Sequence, residues 1–320
     1  MPGEQGTLFE SPHERAGDVH SEVARALDDL VGDGRRYRKG QDFHKLLEFV
    51  AGFRGYSAFN AMLVHLQLDG ARFVAPSGRW HDLYRRRVTV QSRPLIILQP
   101  FGPVMIVFDV SDTEPIDNNS PPLPPQVLNP FEVLVRADVA ALAVRTEANA
   151  IRDGVRVLRV HSGSQAAGHI RPAHGADLEL VVRRRPAWVV ESVPLRYELA
   201  INRDHSASAA YATLVHELAH LYCGHLGAPD SRWWPNRSML SDESQEFEAE
   251  TISYLVCRRA DSRTQFPPNL AQHLDQGEEV PPISLERVLV ASDLIEKMGR
   301  QWLPRRPGPR DVPGPQPKAS

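Results

Sequence analysis

The sequence is poor in cysteine and in long apolar stretches, and it carries little net charge. Two cysteines in 320 residues exclude the disulfide framework of a small secreted protein. No apolar run reaches the length of a membrane span, and residues 1–18 lack the apolar region of a signal peptide, so we expect a cytoplasmic protein. A net charge of −3 gives no overall attraction to nucleic acid or to an anionic membrane, so nucleic-acid binding would have to be local.

The length and composition suit two globular domains of ordinary size, with 42% hydrophobic and 24% charged residues in 320. We predict the α+β class, with a small α+β module over residues 19–112 and a second domain over 131–303. Residues 113–130 are dense in proline, asparagine and aspartate and are predicted to be a linker. Residues 1–18 and 304–320 are predicted to be disordered.

Apolar periodicity and turn residues predict the secondary structure of both domains. In the first domain, we expect helices at 21–30, 41–53 and 56–68 and strands at 72–75, 87–91, 94–99 and 103–110. In the second domain, we expect helices at 137–151, 209–226, 244–258 and 284–300 and strands at 155–162, 178–185 and 196–202.

One pentapeptide in the second domain carries the clearest chemical signal. His216-Glu217-Leu218-Ala219-His220 reads H-E-x-x-H and lies inside a predicted helix. Residues four apart lie on the same face of a helix, so His216 and His220 are able to bind one Zn²⁺ together. Glu217 directly follows the first histidine, where its carboxylate is able to act as a general base toward a water at such a site.

A catalytic zinc site needs a third protein ligand, and the best candidate lies further along the chain. In the predicted helix at 244–258, Glu246 and Glu250 are four residues apart and share a face. We predict that Glu246 binds the metal and that Glu250 accepts the other N–H of a ligating histidine, which orients that ring. Glu248 lies on another face, where we expect a solvated side chain.

Two further side chains are alternatives for the third ligand. Cys223 lies three residues after His220 and shares that side of the helix, although a lone thiol is more often a small buried hydrophobic group. His225 is five residues after His220 and is rotated away from the ligand face. We interpret His225 as a residue at the helix end or behind a ligand.

HELAH, followed by a helix that carries EFEAE, resembles the zincin-like metallopeptidases of the ImmA/IrrE and ArdC kind. In that group a Glu-x-x-Ala-(Asp/Asn/Glu) helix supplies the third ligand and its supporter, which correspond to Glu246, Ala249 and Glu250 here. The motifs span roughly residues 200–258 and their context about 131–300. The resemblance implies a zinc-dependent hydrolase that cleaves a protein or peptide.

The first domain resembles the N-terminal single-stranded-DNA-binding domain of ArdC-type antirestriction proteins. That family combines a Tyr-(Ser/Gly)-x-x-Asn helix start, a tryptophan on a strand, a basic hairpin and a Phe-Asp end. The counterparts here are Tyr56, Asn60, Trp80, the hairpin 84–98 and Phe108-Asp109. Gln91-Ser92 depart from the family, which tends to carry glycine with a charged neighbour there, and this departure bears on DNA affinity more than on fold.

The residues of this region also suit a single-stranded nucleic acid by themselves. Arg85, Arg86 and Arg87 are consecutive, and Trp80 and Tyr84 lie beside them; phosphates attract positive charge and bases stack on aromatic rings. A second basic run covers residues 35–39. The alternative is a solvated charged hairpin that covers a core tryptophan.

These features predict a zinc metallopeptidase that works near nucleic acid, on a DNA-associated or regulatory protein in antirestriction or in regulation of mobile elements or stress. The rival hypothesis is a protein that protects by binding single-stranded DNA, with a zinc site that is structural or dispensable.

Overall fold

The computed structural model describes residues 37, 39–99, 102–161, 167–183, 187, 189–275, 279–304 and 306. The predicted disordered segment 1–18 and the predicted helix at 21–30 lie outside these residues. So do most of the predicted tail and the greater part of the basic run 35–39. The described chain mixes helices with small sheets, which confirms the α+β class.

The helices agree closely with the periodicity of the sequence. In chain order they are α1 (Gly40–Gly52), α2 (Ala58–Gln67), α3 (Ser77–Tyr84), α4 (Pro125–Leu128), α5 (Val139–Ala150), α6 (Ala207–Tyr222), α7 (Asp242–Ala260), α8 (Pro268–Asp275) and α9 (Leu285–Arg300). Serine side chains cap the starts of α2, α6, α7 and α9 by accepting a backbone N–H of the first turn. The helices α3, α4 and α8 were not predicted from the sequence.

The strands form four small sheets. In chain order they are β1 (Val74–Ala75), β2 (Arg86–Val88), β3 (Leu95–Gln99), β4 (Gly102–Asp109), β5 (Thr113–Pro115), β6 (Val155–Val160), β7 (Gly168–Pro172), β8 (Leu178–Arg183), β9 (Val189–Val193) and β10 (Tyr197–Asn202). The sheet orders are β1-β4-β3, β6-β10-β7, β2-β5 and β8-β9. In the second sheet β10 runs parallel to β6 and antiparallel to β7, so β7 is an edge strand.

The predicted hairpin at 84–98 is wrong. β2 pairs with β5, at Arg87↔Glu114 among others, whereas β3 pairs with β4. The two halves of the supposed hairpin therefore belong to different sheets. Trp80 lies on α3 rather than on a strand. Its buried ring belongs to the same cluster as Val110 and Val127.

The segment 113–130, predicted to be a linker, is part of the folded structure. Its first residues form β5, and Pro125 occupies the first turn of α4, where its missing N–H costs no helical hydrogen bond. Val127 is buried beside Trp80. The segment thus packs against the N-terminal module; the domain boundaries themselves stay a prediction.

The N-terminal helices pack directly on the helices of the C-terminal part. Residues of α1 and α2, such as Leu47 and Met62, belong to the same buried cluster as Leu218 of α6 and Ile252 of α7. Asp293 of α9 accepts hydrogen bonds from the backbone N–H groups of Ala58 and Phe59 and so caps α2. One continuous core therefore connects the two predicted domains.

Arg259, near the end of α7, is the buried polar link between these parts. Its guanidinium donates to the backbone oxygens of Val50, Phe53 and Tyr56 and pairs with Glu296. Its side chain is fully buried. The three backbone oxygens would lose this donor if Arg259 were removed, and Glu296 would keep only Arg300. None of the described helices is both long and apolar enough to cross a membrane.

We expect Arg259→Leu to lower the free energy of unfolding by about 3–5 kcal/mol, because it leaves the Glu296 carboxylate with only Arg300 as an ion-pair partner and three buried carbonyls unpaired. Urea denaturation measures the change. Arg263→Leu is the matched control, since Arg263 forms an exposed ion pair with Asp261. Equal stability of the two variants would contradict the role of Arg259.

Candidate metal centre

The helix α6 presents one buried face and one face that opens toward α7. Leu214, Leu218 and Leu221 are spaced by three or four residues and are fully buried. His216 and His220 lie on the other side, four residues apart, with their Nε2 atoms 3.2 Å from one another. The predicted convergence of the two imidazoles is thus present in the structure.

The Glu246 carboxylate of α7 completes a triangle with these two rings. Its Oε2 lies 3.4 Å from His216 Nε2, and its Oε1 lies 3.4 Å from His220 Nε2. A tetrahedral zinc ion with ligands at about 2.0–2.1 Å holds them about 3.3–3.4 Å apart. The three donors therefore have the separations and the chemistry that a zinc ion needs, with Glu246 at the exposed side.

Glu217 lies beside this triangle and against the edge strand β7. Its carboxylate accepts a hydrogen bond from the Ile170 backbone N–H. The strand comes this close because Gly168 has no side chain: a Cβ there would lie 2.5 Å from Thr213 of α6 and 2.6 Å from the Ala200 oxygen. The packing of β7 on α6 thus places a backbone strand edge next to the carboxylate.

Burial and neighbouring charges set the protonation of the four groups. Burial raises the pKa of Glu217, an effect that the positive charge of His216 reduces and the carboxylate of Glu246 increases. Burial opposes the protonation of His216, but the hydrogen bond with Glu246 and the charges of Glu217 and Glu246 outweigh it and raise the pKa of His216. Burial and the charge of His216 lower the pKa of His220 to about 4. The hydrogen bond with His216 lowers the pKa of Glu246 despite burial.

Glu248 is fully buried, so the prediction of a solvated side chain was wrong. Its carboxylate is 2.9 Å from His225 Nε2, accepts two bonds from Arg237 at 2.6 and 2.7 Å, and accepts the Ser284 N–H at 2.7 Å. Burial raises the pKa of Glu248, but these donors outweigh it and lower the pKa. An ionised carboxylate thus lies inside the protein with all its neighbours arranged as donors.

This carboxylate orders the candidate metal ligand His220 through His225. With Glu248 ionised, His225 donates from Nε2 and accepts at Nδ1, and that Nδ1 lies 3.0 Å from His220 Nδ1. His220 therefore donates from Nδ1 and keeps the lone pair of Nε2 for a metal. The interpretation of His225 as a residue behind a ligand agrees with this geometry.

A second group of possible ligands consists of Cys223, His225 and Glu248, all buried. Arg237 occupies both carboxylate oxygens of Glu248, and a guanidinium at that position opposes a cation. Burial and the nearby Glu248 charge raise the pKa of the Cys223 thiol, which disfavours a thiolate ligand. Cys223 is therefore a buried apolar group, not a ligand of the first site.

The orienting role of Glu250 stays a prediction. Its charge favours the protonated form of His216, which places it near that ring. The structure thus shows one supporting carboxylate, Glu248 for His220, whereas support of His216 by Glu250 is a prediction. The relay through His225 was not foreseen, since its members come from separate segments.

The structure separates the predicted nucleic-acid residues. Trp80 is fully buried, and its indole N–H donates to the Phe108 oxygen, so the prediction that it stacks on a base is wrong. Tyr84 is half-buried against Trp80 and Phe73. The three arginines are paired on the protein: Arg85 with Asp117, Arg86 with Thr113 and Arg87 with Glu114. Binding of DNA by these arginines and Tyr84 stays a prediction.

Comparisons with known proteins add little to this geometry. No protein-family model and no curated protein matches the chain. Among solved structures, the chain is similar to the metal-free crystal structure of the antirestriction protein ArdC from plasmid R388. The identity is 15%, the match covers 77% of this chain and 85% of that chain, and the TM-score is 0.33. At this level the similarity carries no argument about fold or chemistry.

We expect Glu248→Gln to weaken zinc binding by about 10- to 100-fold, because an amide leaves the Arg237 charge unpaired and loosens the orientation of His225 and His220. An equilibrium titration with zinc and a competing chelator measures the affinity. Glu250→Gln, the same change two residues further along α7, compares the two supporters directly. Unchanged zinc affinity in a folded Glu248→Gln variant would contradict the relay.

Proposed function

We propose that the protein is a cytoplasmic zinc peptidase with its active centre at His216, His220, Glu246 and Glu217. The observation that carries the proposal is the triangle of three donor atoms, 3.2, 3.4 and 3.4 Å apart, beside a buried carboxylate. Zinc in such a site would supply a Lewis acid that polarises a carbonyl and lowers the pKa of water.

Glu217 is the proposed general base and acid. Its raised pKa brings proton uptake closer to neutral pH than for an ordinary glutamate. It takes the proton of the water that attacks the scissile carbonyl carbon. It then delivers that proton to the leaving amine nitrogen as the C–N bond breaks.

The edge strand β7 supports a peptide as the substrate. In β7 and at its two ends, the backbone groups of the odd-numbered residues face β10. This register follows from two hydrogen bonds, from the Ala173 N–H to the Arg196 oxygen and from the Asn202 N–H to the Ala167 oxygen. Because backbone groups alternate along a strand, the N–H of Ile170 points away from β10 and toward the Glu217 carboxylate. An extended peptide is able to pair with such an edge and present its backbone beside the metal centre.

The biological setting rests on the sequence resemblance to ArdC-type proteins. We propose a DNA-associated or regulatory protein as the target, in antirestriction or a related regulation. In the rival hypothesis the protein protects single-stranded DNA and does not need peptidase activity.

We expect Glu217→Gln to retain zinc but to lower peptide-bond cleavage at least about 100-fold, because the amide cannot accept the proton. The measurement is the rate at which new peptide termini appear in a cytoplasmic extract, together with the zinc content of each variant. Glu243→Gln is the matched control, since Glu243 is an exposed glutamate in the first turn of α7. If Glu217→Gln binds zinc and cleaves at the wild-type rate, the peptidase proposal fails.

A further inference from the structure

A cavity of about 260 Å³ lies between the turn that joins α1 to α2, the strand β1 and the segment around α4. Three aromatic side chains line it: Phe53, Tyr56 and Phe73. The rings of Phe53 and Tyr56 are nearly parallel, at 17°, with centroids 6.2 Å apart. Pro130 and Val133 add further apolar surface. These walls suit a flat apolar group.

Two arginine side chains, Arg54 and Arg72, also line this cavity. Arg54 donates to the backbone oxygens of Val133 and Arg258, at 3.3 and 3.4 Å, and has no carboxylate partner among the described residues. Its Nε–H is buried and has no hydrogen-bond partner in the described part of the chain. Arg72 also lines the cavity, is exposed, and forms no ion pair with a described residue.

The buried carboxylate of Asp109, next to this wall, is already satisfied by backbone donors. The Asp109 carboxylate accepts the backbone N–H groups of Arg72, Phe73 and Ser111 at 2.8, 3.1 and 3.0 Å. Asp109 is buried. Burial and the positive charges of Arg259 and Arg258 lower the pKa of Arg54, whereas the carboxylate of Glu296, which pairs with Arg259, raises it, so positive charge is in excess around Arg54.

The cavity is separate from the candidate metal centre. Arg54 donates a hydrogen bond to the backbone oxygen of Arg258, which follows Glu246 by 12 residues on α7. Because a helix rises about 1.5 Å per residue, Arg258 and Glu246 lie about 18 Å apart along the helix axis. A ligand in this cavity would not touch the metal ligands. The inference below is thus independent of the proposed peptidase activity.

We propose that this cavity binds a small anion with a flat apolar body, of the chemical class of aromatic carboxylates. The ring system lies against Phe53, Tyr56 and Phe73, and the carboxylate lies at Arg54 and Arg72. Apolar surface and an unpaired cation at one cavity favour a ligand that carries both features. Neither an inorganic anion nor a neutral hydrocarbon satisfies both.

Three probes separate the two features of the ligand. We expect 2-naphthoate to bind the full-length protein at one site in isothermal titration calorimetry, at least about tenfold more tightly than neutral 2-naphthamide. Acetate, which lacks the ring, is expected to give no binding. Absence of naphthoate binding, or equal affinity for the amide, would overturn the proposal.

A pair of glycine variants locates the site. A Cβ at Gly55, which lines the cavity, meets no atom within 4 Å, and its backbone is outside the left-handed region, so Gly55→Leu narrows the cavity without strain. We expect this variant to bind 2-naphthoate at least about tenfold more weakly. Gly78→Leu is the matched control, because Gly78 of α3 is equally open but does not line the cavity.

The charge is tested in the same titration. Arg72→Gln should weaken 2-naphthoate binding several-fold and leave 2-naphthamide binding unchanged, since only the anion interacts with the guanidinium. Thermal unfolding confirms that each variant is folded. If Gly55→Leu and Gly78→Leu bind 2-naphthoate equally, the ligand lies elsewhere and the assignment of this cavity is wrong.

Discussion

A buried, ionised carboxylate fixes the geometry of the candidate metal centre. Glu248 receives donors from the loop after α6, through His225 and Arg237, and from the start of α9, through Ser284. An unpaired charge in that position would cost several kcal/mol, so these partners must be assembled together. Because Glu246 lies two residues earlier on α7, the position of Glu248 also determines where Glu246 meets His216 and His220.

The helix α7 therefore has two chemical faces with different tasks. Glu246 opens toward solvent and the metal position, whereas Glu248 points inward and holds the helix in place. At the other end, Arg259 joins α7 to the turn between α1 and α2. The centre is thus held by polar contacts along the whole helix, and those contacts reach into the N-terminal part.

Local spacing was enough to predict much of this site. The four-residue interval between His216 and His220 fixes their common face, and the periodicity around Glu246 identified its helix. The burial of Glu248 was not predicted because glutamates in a Glu-rich helix usually face solvent, and because its partners His225 and Arg237 lie in a different segment of the chain. Only the folded chain brings those donors to it.

The strands β7 and β9 were not predicted from the sequence, and Trp80 was placed on the wrong kind of element, for a similar reason. The sequence of β7, Gly-His-Ile-Arg-Pro, contains a single large apolar residue and gives no local strand pattern. Its extended conformation is stabilised by pairing with β10 at the edge of the sheet. Trp80 was assigned to a strand from a family pattern, but the turn before it starts a short helix. Pairing between β2 and β5 spans the whole β3–β4 hairpin, so no local pattern reveals it.

X-ray absorption spectroscopy of the zinc-loaded protein tests the central claim most directly. A site made of His216, His220 and Glu246 predicts only nitrogen and oxygen neighbours, at about 2.0–2.1 Å, with the outer-shell scattering of two imidazoles. A sulfur neighbour at about 2.3 Å would instead place the metal at Cys223 or Cys257. That result, or a protein that binds no zinc, would contradict the account.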